Sequence, residues 1–224
     1  GLQKCSMVDY PGLPAAVVFT QGCPWRCSFC HNSALVKPEC FTPPMPEEEV
    51  LAFLQSRRGR LDGVVITGGE PTLQPDLPEF LRKVKAMEYA VKLDTNGMFP
   101  ERLRAAIQTG CIDYLAMDIK APLDRYPDVV GMPTEPADLQ ASIGLIRASG
   151  LAYEFRTTVL PWLHTPECMR ETVEAVRGAS RYALQRYEPE HAMESALREE
   201  NDAVDFTVLR ECVAPCVGEV LLRN

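Results

Sequence analysis

The chain has 224 residues, 46% hydrophobic and 24% charged, with a formal net charge of -8 at pH 7. That length suits one medium domain with a sizeable core, and no uninterrupted apolar run approaches the roughly 18 residues of a membrane span. The acidic balance repels phosphate backbones, which excludes nonspecific nucleic-acid binding as a primary role.

The opening, GLQKCSMVDYPGLP, lacks the apolar stretch of a secretory signal, so a cytoplasmic protein is expected. The run AAVVFTQG at 15–22 is rich in β-branched residues and ends at Gly22, as a buried strand does. Three cysteines follow within eight residues, CPWRCSFC. MPEEEVLAFLQSRR at 45–58 spaces Val50, Leu51 and Leu54 as a helix does, with proline and glutamates in its first turn. GVVITGG at 63–69 is a second strand, and DLPEFLRKVKAM at 76–87 a helix striped by Leu77, Phe80, Leu81 and Val84.

The alternation continues with the strand AVKLDTNG at 90–97, the helical PERLRAAIQTG at 100–110 and the strand IDYLAMDIKAP at 112–122. ADLQASIGLIRAS at 137–149 is helical, AYEFRTTVLP at 152–161 extended, PECMRETVEAVRG at 166–178 helical, and RYALQRY at 181–187 a sixth strand. Six such units predict parallel strands joined by right-handed crossovers. Their polar ends, GCPWRC, GGE, DTNG, DIKAP and RTTVLP, then converge on one rim, the usual active-site face. Six units are fewer than a closed eight-unit barrel requires. The expected fold is therefore α/β, a partial (β/α)6 barrel with parallel strands over residues 1–187. Residues 188–224 are expected to form a C-terminal extension that packs on or completes it. A doubly wound open sheet is the alternative, because local alternation does not reveal strand order. Glu188 to Glu211 holds eight acids and two arginines, read here as a solvated helical surface.

Nine cysteines call for a reducing compartment and a metal site rather than a disulfide framework. Thiolates at C-x3-C-x2-C, here Cys23, Cys27 and Cys30, can reach one compact centre of iron–sulfide or zinc. A four-iron cluster normally takes four thiolates, so three leave one iron open to a small molecule. Zinc on Cys23, Cys27, Cys30 and His31 is the rival, although adjacent Cys30 and His31 converge awkwardly on one ion. Cys5, Cys40, Cys111, Cys168, Cys212 and Cys216 are read as inert or structural thiols.

CPWRCSFCH resembles the cluster motif of the radical S-adenosylmethionine (SAM) enzymes, and GGEP, DTNG and DIKAP resemble their cofactor-binding segments in the same order. The series VDYPG, VVFTQGC, CHN, GGEPTLQ, LDTNG, MDIKAP and FRTTVLP is similar to the activases of glycyl-radical enzymes. The likeness is greatest to activating proteins of anaerobic ribonucleoside-triphosphate reductase, with pyruvate formate-lyase activase nearby. It implies a [4Fe–4S] cluster on Cys23, Cys27 and Cys30, with SAM chelating the fourth iron. It also implies reductive cleavage of SAM and abstraction of a hydrogen from a backbone glycine of a partner enzyme, with reduced flavodoxin or ferredoxin as electron donor.

The resemblance further implies that Gly68 and Gly69 receive the methionyl portion and that Glu70 helps hold its ammonium. Asp94, Asp118, Lys120 and Arg156 would lie at the cofactor, and Phe29 would enclose the adenine side. Asp94, Thr95 and Asp118 would be candidate ligands of a monovalent cation. Asp94 and Thr95 have a plainer reading as caps of the following helix around Asn96, and Arg156 as a partner of Asp94 or Asp118. Trp25 would shield the cluster or contact the partner, and His31 would hydrogen-bond near the cofactor. Where pyruvate formate-lyase activase carries a histidine after its sixth strand, this chain has LQRYEPEH, and that role is not transferred to His191. The rivals are a radical SAM enzyme acting on a small molecule or nucleoside, and a non-catalytic zinc or electron-transfer module.

Overall fold

The structure, a computed structural model, describes residues 1–198 and 204–223, so Glu199, Glu200 and Asp202 of the acidic stretch lie outside the described residues, as does the side chain of His191. One eight-stranded sheet runs in strict sequence order. Its strands are β1 (Leu2–Ser6), β2 (Ala15–Thr20), β3 (Gly63–Gly68), β4 (Ala90–Thr95), β5 (Tyr114–Asp118), β6 (Ala152–Val159), β7 (Arg181–Arg186) and β8 (Glu219–Arg223). β1 is antiparallel to β2; from β2 to β8 every pairing is parallel. β1 and β8 are the two edges, so the barrel is partial.

The helices are α1 (Ser33–Val36), α2 (Glu47–Arg57), α3 (Leu77–Lys85), α4 (Pro100–Gln108), α5 (Tyr126–Val130), α6 (Pro136–Ala148), α7 (Pro166–Glu174) and α8 (Phe206–Val213). Side chains alternate between the faces of a strand. On the helix side, Val64, Ile66, Val91, Leu93, Leu115 and Met117 are fully buried, in one cluster with Leu54, Leu81, Leu103, Ile143 and Met169 of the helices. Each such aliphatic side chain contributes about 1.5–3 kcal/mol. This helix-covered layer is the main core.

The inner face differs. Tyr10, Val17, Val65 and Tyr114 form a small apolar plug. Lys92, Asp94, Glu154 and Arg156 follow on the same alternation, and Lys92, Asp94 and Glu154 are buried. Charges inside a barrel are costly unless paired. Their pairing is what shapes the site.

The expected partial barrel is present, but with eight strands instead of six. β1 has only Ser6 buried, so its side chains carry no alternation signal; it exists through pairing with β2. β8 is an equally exposed edge whose register, Gln185 opposite Arg223, is a long-range contact.

Candidate functional site

The loop after β2 buries Trp25, Cys27 and Phe29 on alternate residues. Arg26 stiffens it: one guanidinium nitrogen donates to the carbonyls of Cys23 and Trp25, both at 2.8 Å, and its backbone N–H donates to Val130 at 2.8 Å. All nine cysteines are free thiols. Cys23, Cys27 and Cys30 line one cavity of about 380 Å³ together with Phe29, Glu70, Asp94, Asp118, Lys120 and Arg156. Burial pushes the thiol of Cys23 up to about 12 and that of Cys27 up to about 11, and raises Cys30. Metal binding at such thiols releases protons.

Donor set and shape suit a cluster. Among the described residues, no group of three or more His, Cys, Asp or Glu side chains closes on a single-ion site. The three thiols line one cavity, and soft donors gathered from one short loop suit an iron–sulfur centre. His31 lines the same cavity, its ring 5.9 Å from that of Tyr187.

The glycine pair docks the cysteine loop. Gly69 N–H donates to Thr20 O at 3.0 Å and Glu70 N–H to Gly22 O at 2.8 Å. Asn32 donates to Gly68 O at 3.1 Å. Gly68 has φ +120, and a Cβ there would meet the Thr20 backbone at 2.4 Å. The Gly68 carbonyl and the Gly69 and Glu70 N–H groups are therefore taken by the end of β2 and the loop that follows it. The Glu70 carboxylate is fully buried and accepts from Thr72 N–H at 3.0 Å, from the Thr72 hydroxyl, from the Thr95 hydroxyl at 2.7 Å and from Asn96 N–H at 2.7 Å. Burial nevertheless raises its pKa, against these bonds. Glu70 thus ties the end of β3 to the end of β4.

Helix capping does not explain Asp94 and Thr95. α4 begins at Pro100 with Phe99 at the cap position and no side-chain capping bond. Instead Arg156 bridges Asp94, at 3.1 Å, and Asp118, at 2.9 Å, pairing with both. Lys92 adds a contact to Asp94 at 2.8 Å and Lys120 one to Asp118 at 3.3 Å. Burial opposes these charges, but Arg156 and Lys92 hold Asp94 below the usual carboxylate range, and Arg156 and Lys120 bring Asp118 down to about 2. Both carboxylates that were candidate cation ligands are therefore already neutralised by side-chain cations. The ammonium of Lys120 also stands 5.6 Å from the centre of the Phe29 ring. Its own pKa is raised, burial being outweighed by Asp118 and the Cys27 thiol.

Every residue singled out in the strand ends reaches this cavity, and so do residues that sequence reasoning did not single out. Asn96 places its amide nitrogen 3.8 Å from Cys23 Sγ; its position inside DTNG was the available signal. Asp9 and Gln185 line the same cavity and, with Arg156, a second one of about 390 Å³ completed by Val8, Lys92 and Arg223. Nothing local marks Gln185. Its place follows from β7 lying between β6 and β8.

Comparison with known proteins gives consistent matches. The Radical SAM superfamily matches residues 17–177. A Methanocaldococcus jannaschii protein, provisionally named a glycyl-radical enzyme activating enzyme, is 32% identical over 206 residues, covering 88% of this chain and 83% of its own. A 7-carboxy-7-deazaguanine synthase of Methanopyrus kandleri is 27% identical over 179 residues, 69% of this chain and 70% of that protein. The fold matches SuiB of Streptococcus suis bound to its precursor peptide, with TM-score 0.71 and 15% identity over 93% of this chain and 48% of that one. It also matches a domain of a pyruvate-formate lyase-activating enzyme from Bacteroides vulgatus, with TM-score 0.56 and 16% identity over 71% of this chain and 98% of that one.

Proposed function

This chain belongs to the radical SAM superfamily, whose members use a [4Fe–4S] cluster and S-adenosylmethionine, and from that premise we propose that it activates a glycyl-radical enzyme by removing a hydrogen atom from a backbone glycine. The observation that carries the reading is the gathering of Cys23, Cys27 and Cys30 in one cavity with the polar ends of β3 to β6. When bound, cluster and cofactor supply one-electron chemistry, the reductive cleavage of a sulfonium bond and hydrogen removal from carbon.

The protein supplies binding and orientation. In this reading Cys23, Cys27 and Cys30 hold three irons. Lys120 and Arg156 are the cations that face the cofactor carboxylate, while Asp94 and Asp118 fix their direction. Phe29 is the apolar wall. Gly68, Gly69 and Glu70 hold the cysteine loop against the cofactor's amino-acid end.

The second cavity supports a neutral target. Each of its cations already has a carboxylate partner: Lys92 shares Asp94 with Arg156, which also pairs with Asp118, and Arg223 meets Glu154 through two contacts of 2.6 Å. Asp9 accepts a hydrogen bond from Ser6. Gln185 makes no side-chain hydrogen bond to a described residue, and its carboxamide offers the donor and acceptor that a peptide group needs. The similarity to a protein provisionally named an activating enzyme supports a glycyl-radical enzyme as partner; anaerobic ribonucleotide reductase is the first candidate on the motif resemblance alone. A small-molecule or nucleoside substrate is the second reading, favoured by the similarity to 7-carboxy-7-deazaguanine synthase.

Anaerobic reconstitution should give about four irons and about four sulfides per chain. Reduction with SAM should yield methionine and 5′-deoxyadenosine, and Cys27→Ala should abolish both cluster and cleavage. Adding anaerobic ribonucleotide reductase should produce a glycyl doublet in its electron spin resonance. Cleavage with no radical in any glycyl-radical protein would transfer support to the small-molecule reading.

A further inference from the structure

β5 ends at Asp118, paired with Arg156 of β6, and the Ile119 N–H still donates to Arg156 O at 2.7 Å. Beyond that bond the ladder stops, yet the next three backbone groups are all met by side chains. Ile119 O accepts from the Thr157 hydroxyl. Lys120 N–H donates to the Tyr126 hydroxyl at 2.9 Å, and Lys120 O faces His164 Nε2 at 3.1 Å. His164 Nδ1 accepts from Leu160 N–H at 2.8 Å, which leaves the ring proton on Nε2 to donate to Lys120 O. Thr157, Tyr126 and His164 come from β6, α5 and the loop before α7, and all three are buried.

A lysine side chain is a flexible stem, so its ammonium is aimed only when root and tip are both held. The tip of Lys120 meets Asp118 at 3.3 Å and the Phe29 ring at 5.6 Å. Its root is held by the two peptide groups that flank its Cα, one gripped by Tyr126 and the other by His164. The Tyr126 ring also packs edge-on against Trp25 of the cysteine loop, centroids 5.7 Å apart at 64°. At the far end of α5, Val130 O accepts from Arg26 N–H at 2.8 Å. α5 thus touches both the loop that carries the three thiols and the segment that carries Lys120.

We propose that Tyr126 and His164 are positioning residues that aim the Lys120 ammonium at the carboxylate of the cofactor's amino-acid end. Neither lines the cavity of the thiols, so both act through Lys120. The proposal rests on the reading that Lys120 faces that carboxylate, and not on the glycyl target.

The test titrates reconstituted holoenzyme with SAM by calorimetry. Tyr126→Phe removes one oxygen and keeps the ring against Trp25. It should load the same iron and raise the dissociation constant about three- to tenfold, the usual worth of one hydrogen bond. His164→Leu should do likewise, and His164→Gln should lose less, because its carboxamide can still donate to Lys120 O. Tyr89→Phe is the control: that buried hydroxyl donates to Leu54 O at 2.7 Å, away from the cavity, and its loss should leave SAM affinity unchanged. In a Lys120→Gln background Tyr126→Phe should weaken binding no further, a coupling that a merely structural role does not give. Full additivity overturns the proposal, as does unchanged affinity in Tyr126→Phe and His164→Leu with normal iron content. Normal SAM binding by Lys120→Gln alone would instead overturn the reading of Lys120, and the proposal with it. Should Tyr126→Phe not load its cluster, the two His164 variants decide.

Discussion

A side-chain carbon at position 69 would fall 2.1 Å from the carbonyl oxygen of Gly22, one residue before the first cluster-motif cysteine. Both partners are backbone-bound, so neither can yield by rotating a side chain. Gly69 is therefore a spacer for the cysteine loop, and the turn after β3 and the metal-binding loop are one structural unit.

Gly69→Ala should push Cys23 away from its cavity. We expect a loss of about 1–3 kcal/mol, the usual cost of overpacking, together with reduced iron uptake on reconstitution. Gly144→Ala is the matched control, in α6 with nothing within 4 Å of the added carbon. It should be neutral or gain about 0.5–1 kcal/mol from helix propensity. Denaturant unfolding with iron analysis compares the two. Equal behaviour would refute the spacer role.

Arg156→Gln leaves Asp94 and Asp118 without the guanidinium that joins them. Removing one partner of a buried pair costs about 3–5 kcal/mol; Lys92 and Lys120 should keep the loss near the lower end. Lysine cannot span both carboxylates, so Arg156→Lys should restore only part. Asp118 is depressed to about 2 from an ordinary 3.8. Its stabilising contribution is thus complete above 3.8 and lost as pH falls through about 2. In Arg156→Gln that contribution should be smaller and already exhausted at a higher pH, which acid-unfolding curves will show.

His164 is 3% exposed; its Nδ1 accepts from Leu160 N–H at 2.8 Å and its Nε2 faces Lys120 O at 3.1 Å. Burial lowers its pKa from 6.5 to about 4. The unfolded chain then takes up a proton between those values while the native one does not. Stability is therefore complete above 6.5 and declines by about 3 kcal/mol as pH falls to 4. His164→Gln should be less stable at pH 7 but lose that slope. An undiminished slope would place the titrating group elsewhere.

Gln185→Leu separates cofactor from target. SAM cleavage without a partner should stay within about twofold, whereas glycyl-radical formation should fall at least about tenfold through a raised KM, as expected when a hydrogen-bonding group of a binding site is lost. Equal losses in both reactions would move Gln185 from the target to the cofactor.

The alternation of apolar strands and amphipathic helices was enough to locate β2 to β7, because their buried faces repeat along the chain. The spacing of Cys23, Cys27 and Cys30, and the polar runs after each strand, likewise marked the loops that meet at the rim. β1 and β8 were not legible: as exposed edges they bury too little to leave a periodic trace, and only pairing creates them.

What the chain determines by itself is therefore the inventory, three thiols on one loop and a charged or glycine-rich end on each strand, since spacing and periodicity are local. Tertiary structure alone decided who meets whom: Arg156 between Asp94 and Asp118, Glu70 turned toward Thr95 and Asn96, Gln185 between two cavities, and the Trp25 ring against Tyr126. These contacts join residues far apart in sequence. They depend on strand order and register, which no local pattern encodes.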